Sequence, residues 1–218
     1  MKKLLAVTCM AIFSLLLLGC GAVKADAPKA APQQEASQPE AQPSAGKRAL
    51  VAYFSRADEN YGVGYVQKGN TRILAEMIGE KTGAELFEIK ADHDYPKEYK
   101  AATEAAKAEK EAAARPKLVG SMPDLSKYDV IYLGYPIWWS DLPMAVYTFL
   151  EQGNFAGKTI IPFCTHEGSG IAGTEGYIKE AAKAKVLDGF ELQGSVAQKS
   201  PEKAREQLYK WLDETQAK

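Results

Sequence analysis

The stretch Val130-Ile131-Tyr132-Leu133-Gly134-Tyr135-Pro136-Ile137-Trp138-Trp139 decides how this chain is read. It opens as an unbroken apolar run rich in β-branched and aromatic residues. That is the pattern of a strand buried on both faces of a parallel sheet. Gly134 and Pro136 end the run, and Trp138 and Trp139 follow in a loop. Two of the three tryptophans of the protein therefore stand side by side just past a central strand. In an open α/β sheet, ligands bind beyond the carboxyl ends of the strands. A flat aromatic pair in that place predicts a flat ligand. The competing reading sinks one or both indoles into the core under the next helix.

Strands and helices alternate on both sides of this run. Ala49 to Phe54 reads as the first strand, and Asn70-Thr71 opens a helix striped by Ile73, Leu74, Met77 and Ile78. Gly83 stops that helix, and Ala84 to Ile89 reads as the second strand. Asp94-Tyr95-Pro96 starts an Ala/Glu/Lys helix of solvated composition that ends before Pro116. The third strand is Tyr128 to Leu133. Pro143 lies near the start of the next helix, which carries Val146, Phe149 and Leu150 on one face. Lys158 to Cys164 is strand four, Gly173 to Ala184 its helix, and Phe190 to Val196 strand five. Pro201 opens a last helix with Ala204, Leu208, Trp211 and Leu212 inward. This pattern predicts one α/β domain over residues 48–218, a three-layer α/β/α sandwich on a five-stranded parallel sheet with right-handed crossovers.

Composition agrees, with 46% hydrophobic and 25% charged residues. A formal net charge of −1 offers no basic footprint, so nucleic acid is not an expected partner. Residues 1–20 read as an address. Lys2 and Lys3 precede an apolar run from Leu4 to Leu18 that is shorter than the roughly 20 residues a membrane span needs. Leu17-Leu18-Gly19-Cys20 resembles the bacterial lipobox, which implies cleavage before Cys20, lipidation of its sulfur, and an extracytoplasmic domain anchored in the cell envelope. Residues 21–47, rich in Ala, Pro, Gln and Glu, read as a disordered linker. After cleavage only Cys164 remains unmodified, so no internal disulfide is available, and its apolar neighbours mark it as a buried structural thiol.

Three loops carry the candidate chemistry. Between strand one and helix one, Ser55, Asn70 and Thr71 flank a Gly-rich insert, Ala57 to Gly69. Hydroxyls and free N–H groups at a helix start make an anion site. The second loop is Pro136 to Trp139. The third, Thr165-His166-Glu167-Gly168-Ser169-Gly170, has glycines that allow close backbone approach to a ligand. Gly168-Ser169-Gly170-Ile171-Ala172-Gly173 also spells G-x-G-x-x-G, but it follows the fourth strand instead of the first, which argues against a dinucleotide fold.

Phe54-Ser55-Arg56 with Gly69-Asn70-Thr71 resembles the phosphate loop of the flavodoxins, split here by the insert. Gly134 to Trp139 and Phe163 to Gly170 resemble the two isoalloxazine loops of the flavodoxin-like family. The resemblance spans residues 48 to 197 and implies strand order 2-1-3-4-5, bound FMN and electron transfer. It implies that Ser55, Arg56, Asn70 and Thr71 hold the phosphate, and that Pro136, Ile137, Trp138 and Trp139 flank the ring. Thr165, His166, Gly168, Ser169 and Gly170 would meet its polar edge, with His166 the cation candidate there. The partner would be a redox protein or a small-molecule electron acceptor. Three classes of function follow: an electron carrier, an NAD(P)H-dependent reductase acting on a quinone or other small acceptor, and a flavin-binding or docking module without turnover.

Overall fold

The run from Val130 lies at the centre of the sheet in the computed structural model, which describes residues 48–216. The signal segment, Cys20 and the linker lie outside the described residues. In chain order the elements are β1 (Ala49–Tyr53), β2 (Asp58–Asn60), β3 (Gly64–Val66), α1 (Asn70–Thr82), β4 (Glu85–Glu88), α2 (Tyr99–Glu111) and β5 (Val130–Pro136). There follow α3 (Met144–Gln152), β6 (Thr159–His166), α4 (Thr174–Ala182), β7 (Lys185–Val186), β8 (Phe190–Gln193), α5 (Gly194–Lys199) and α6 (Pro201–Gln216). The main sheet is parallel and ordered β4-β1-β5-β6, with β7 and β8 both pairing to the outer side of β6. This is the predicted 2-1-3-4-5 order, with the fifth place shared by two short strands.

The split has a cause in β6. The carbonyl of Ile160 accepts from Leu187 N–H, so residue 160 faces the fifth position. Two residues on, Pro162 faces the same way and has no N–H to offer. Pairing lapses opposite it, where Gly189 passes so close that a Cβ would lie 3.0 Å from the Pro162 carbonyl. Strand five, predicted to run to Val196, ends at Gln193 and turns directly into α5.

Alternation along β5 builds a core on each face of the sheet. Ile131, Leu133 and Tyr135 pack with Val146, Phe149 and Leu150 of α3 and Ile178 of α4. Val130 and Tyr132 pack with Leu74 and Ile78 of α1 and Leu208 and Leu212 of α6. Gly134, predicted to end the run, instead continues it. A Cβ there would sit 2.2 Å from the Phe163 ring, so the glycine makes room for a neighbour and the strand reaches Pro136. β6 likewise extends past Cys164 to His166. Cys164 is fully buried, and desolvation raises its thiol pKa far above the ordinary value. That inert setting fits a structural thiol.

Two further segments depart from the sequence reading. The helix expected from Asp94 begins at Tyr99, because the carbonyls of Pro96 and Lys97 accept from Arg56 and Tyr95 packs edge-on to Phe54. The insert forms a hairpin in which β2 and β3 pair antiparallel. No helix among the described residues is long and apolar enough to cross a membrane.

Candidate functional site

β1, β5 and β6 are adjacent and parallel, so the loops after them emerge at one edge of the sheet. They line a cleft of about 490 Å³, within the roughly 300–1,000 Å³ usual for small-molecule sites. From the sequence-predicted set, Arg56, Asn70, Pro136, Ile137, Trp138, Trp139, Thr165 and His166 line it. Ser55, Thr71, Gly168, Ser169 and Gly170 are not among the lining residues.

At one end, α1 begins against the β1 loop. Gly69 is its N-cap and supplies no side-chain hydrogen bond. A Cβ on Gly69 would lie 2.3 Å from Ser55 Oγ and 2.4 Å from the Arg56 carbonyl, so only glycine lets the two segments meet. Ser55 Oγ accepts from the Arg72 N–H at 3.1 Å. Helical geometry leaves the N–H groups of Asn70 and Thr71 without intrahelical acceptors. Thr71 Oγ1 lies 2.8 Å from Thr165 Oγ1, both buried, and this contact joins the start of α1 to the end of β6.

Arg56 holds the hairpin and the 96–97 segment together. Its guanidinium donates to the carbonyls of Glu59 at 2.7 Å, Pro96 at 2.8 Å and Lys97 at 2.7 Å. Burial lowers its pKa, with Asp58 and Glu59 opposing the shift. Its Nε is buried and has no hydrogen-bond partner.

The tryptophans divide the two readings between them. Trp138 is partly buried and packs edge-on to Phe54, at 5.2 Å between centroids, and to Tyr95, at 5.0 Å. Tyr95 donates its hydroxyl to Glu109 at 2.8 Å, and burial raises its pKa well beyond the usual phenol value. Trp139 is 47% exposed and leans on α2, with Nε1 donating to the Thr103 carbonyl at 2.9 Å and Lys107 above its ring. The turn between them closes through reciprocal backbone bonds of Trp138 and Asp141. Its central residues, Trp139 and Ser140, have φ of 53° and 58°. Such tight turns favour Asn or Gly, and L-residues with side chains there are strained by about 1–2 kcal/mol each. Strain of this kind gathers at functional sites.

In the third loop, His166 Nδ1 accepts from the N–H groups of Gly168 at 2.9 Å and Gly170 at 3.2 Å. With Nδ1 an acceptor, the ring proton belongs on Nε2, which contacts the Glu191 carboxylate. The imidazole thus has polar partners on both nitrogens, and two amides expected at a ligand edge are engaged by it. Glu167, beside it, accepts from the Ser195 N–H at 2.6 Å and the Ser195 hydroxyl at 2.9 Å.

Glu167 also lines the cleft, and the remaining lining comes from two elements not anticipated as part of the site. The hairpin contributes Asn60 and Tyr61, and α2 contributes Tyr99, Ala102, Thr103 and Ala106. Tyr61 and Tyr99 pair at 5.7 Å at the mouth. Ala102 and Ala106 are buried on one face of α2, but Ala101 and Ala105 repeat the same spacing without being buried, so the sequence does not single that face out. The described residues hold no cluster of His, Cys, Asp or Glu suited to a metal ion.

A flavodoxin family model matches residues 48–215. A candidate flavoprotein of Bacteroides uniformis is 29% identical, with a TM-score of 0.62 over 77% of this chain and 99% of that one. A second, from Bacteroides eggerthii, is 26% identical, with a TM-score of 0.61 over 77% and 97%. A flavoprotein of Lactobacillus acidophilus, solved in complex with FMN, shares the fold at 20% identity and a TM-score of 0.55, over 71% and 98%. No curated protein matches the sequence significantly. With a family model covering residues 48–215 and the three loops gathered at one sheet edge, the chain belongs to the flavodoxin family.

Proposed function

We propose that the cleft binds FMN and that the protein, held at the membrane by a lipid on Cys20 and facing outside the cytoplasm, transfers electrons between redox partners. The observation that carries this reading is the junction of Gly69 with Ser55 and Arg56 at the start of α1. It leaves a helix N-terminus open beside a cleft of suitable size, with a buried and unpartnered Arg56 Nε nearby. Helix N-termini attract phosphate through unpaired N–H groups and the aligned peptide dipoles. The family and the FMN complex of the Lactobacillus neighbour support the same cofactor. FMN supplies one- and two-electron transfer when bound.

The chain's own residues supply binding and electrostatics. The N–H groups of Asn70 and Thr71 hold the terminal phosphate, with Ser55 and Arg56 beside them. Pro136 to Trp139 form the wall against the ring, and the strained 138–141 turn fixes that wall to α2. Thr165 and His166 meet the polar edge, while Gly168, Ser169 and Gly170 shape that edge by holding the imidazole. The electron partner is a redox protein or a small acceptor.

The test is direct. Protein purified under native conditions should carry flavin that is released on denaturation as FMN. Rapid mixing of the FMN-loaded protein with NADPH then separates carrier from reductase, since only a reductase bleaches quickly. Protein that neither retains nor takes up FMN would leave a docking module. Cys20→Ala should release the protein from the membrane fraction or leave it unprocessed, and unchanged fractionation would remove the lipid anchor from the account.

A further inference from the structure

The short helix α5 reaches three parts of the site at once. Ser195 is bonded to Glu167 of the third loop. Lys199 Nζ donates to the Gly62 carbonyl in the hairpin at 2.7 Å. Gln198 Nε2 donates to the Lys68 carbonyl at 2.7 Å and to Asn70 Oδ1 at 2.9 Å. The helix can come this near because Gly194 lacks a side chain, since a Cβ there would lie 2.0 Å from Asn70 Nδ2.

Gln198 differs from its two neighbours in what it holds. Its two acceptors lie on either side of Gly69, the N-cap that has no side chain of its own to fix it. Both donors of one amide group are engaged, which sets the plane of that group. A peptide unit is planar and trans, so holding the Lys68 carbonyl toward α5 directs the Gly69 N–H away from it. Holding Asn70 Oδ1 keeps that side chain folded against Gly194. Gln198 therefore orients the backbone that the phosphate would meet, without being among the residues that line the cleft.

We propose that Gln198 is the positioning residue of the phosphate site, acting through Lys68 to Asn70, and that it sets the preference for a phosphorylated flavin over the unphosphorylated one. This rests on the FMN reading above. The opposing account gives Gln198 a packing role only, in which case its loss lowers stability and weakens any flavin equally.

The experiment titrates full-length wild type and variants with FMN and with riboflavin, following flavin fluorescence, and records Tm for each. Gln198→Glu keeps the shape but turns a double donor into an acceptor facing two oxygens. Gln198→Met removes both donors without adding charge and is read by the same criterion if the Glu variant folds poorly. Both should weaken FMN by about tenfold or more and leave riboflavin nearly unchanged. Ser195→Ala, which unfastens only the third loop, should leave the FMN-to-riboflavin ratio at its wild-type value. Equal losses for both ligands in the Gln198 variants, or an unchanged ratio, would overturn the positioning role while the FMN reading stands. A wild type that binds the two flavins equally would overturn both together.

Discussion

At the helix-α1 end of the cleft, loops are held by side chains reaching from far along the chain. Arg56 grips carbonyls 40 and 41 residues away, and Gln198 grips Lys68 across 130 residues. At the tryptophan end, the turn from Trp138 to Asp141 is closed by its own backbone and carries two strained residues, fastened to α2 through Trp139 and to α3 through Asp141 and Tyr147. A phosphate is small, charged and invariant in shape, and fixed donors suit it. A flat ring needs a wall whose height and tilt are set locally, and a tight turn supplies that. The contrast says that one end was built for rigidity from long-range bonds and the other holds strain in a short segment.

The largest expected effect breaks the first end. Arg56→Met removes a charged donor from three carbonyls and should cost about 3–5 kcal/mol of stability, a large part of the roughly 5–15 kcal/mol of a typical domain. Denaturant unfolding reads it, and a loss below about 1 kcal/mol would mean the carbonyls find water instead. Next comes Trp138→Ala, at about 3 kcal/mol, since its indole edges Phe54 and Tyr95. Trp139→Ala, from an exposed ring, should cost under about 1 kcal/mol of stability. Comparable losses from the two would erase the division between the indoles. Gly69→Ala should follow at about 1–3 kcal/mol, because the added Cβ meets backbone at the Arg56 carbonyl and a shift is forced. Its FMN affinity should fall further than its stability suggests. The smallest effect has the opposite sign. Ser140→Gly removes strain at φ 58° and should raise stability by about 1 kcal/mol. No gain in Tm would mean that the turn is relaxed.

What the sequence made legible follows the same division. β1, β5 and β6 are apolar runs buried on both faces, and such runs declare themselves without knowledge of their partners. Their order placed the three loops together. The hairpin was hidden because its strands are three residues each, too short for alternation to register, and its position depends on Arg56 and on Lys199. Gly194-Ser195-Val196 reads as the tail of a strand. It becomes helix where Ser195 bonds Glu167 and Gln198, further along, bonds Lys68 and Asn70, contacts that no local pattern encodes. Gly134 reads as a stop because a glycine that makes room for Phe163 looks, in sequence, like one that ends a strand. His166 was legible as a cleft residue, but its bonds to Gly168, Gly170 and Glu191 arise from the way the loop folds back on it.

The central claim is that the start of α1 was shaped to receive a terminal phosphate. Parallel titrations of the wild-type protein with FMN and with riboflavin test it most directly. The two ligands share the ring and differ only in that group. Charge-assisted hydrogen bonds of about 1.5–3 kcal/mol each predict that FMN binds at least about tenfold more tightly than riboflavin. Equal affinities would contradict the account, because the junction of Gly69, Ser55 and Arg56 would then be a packing contact and no more.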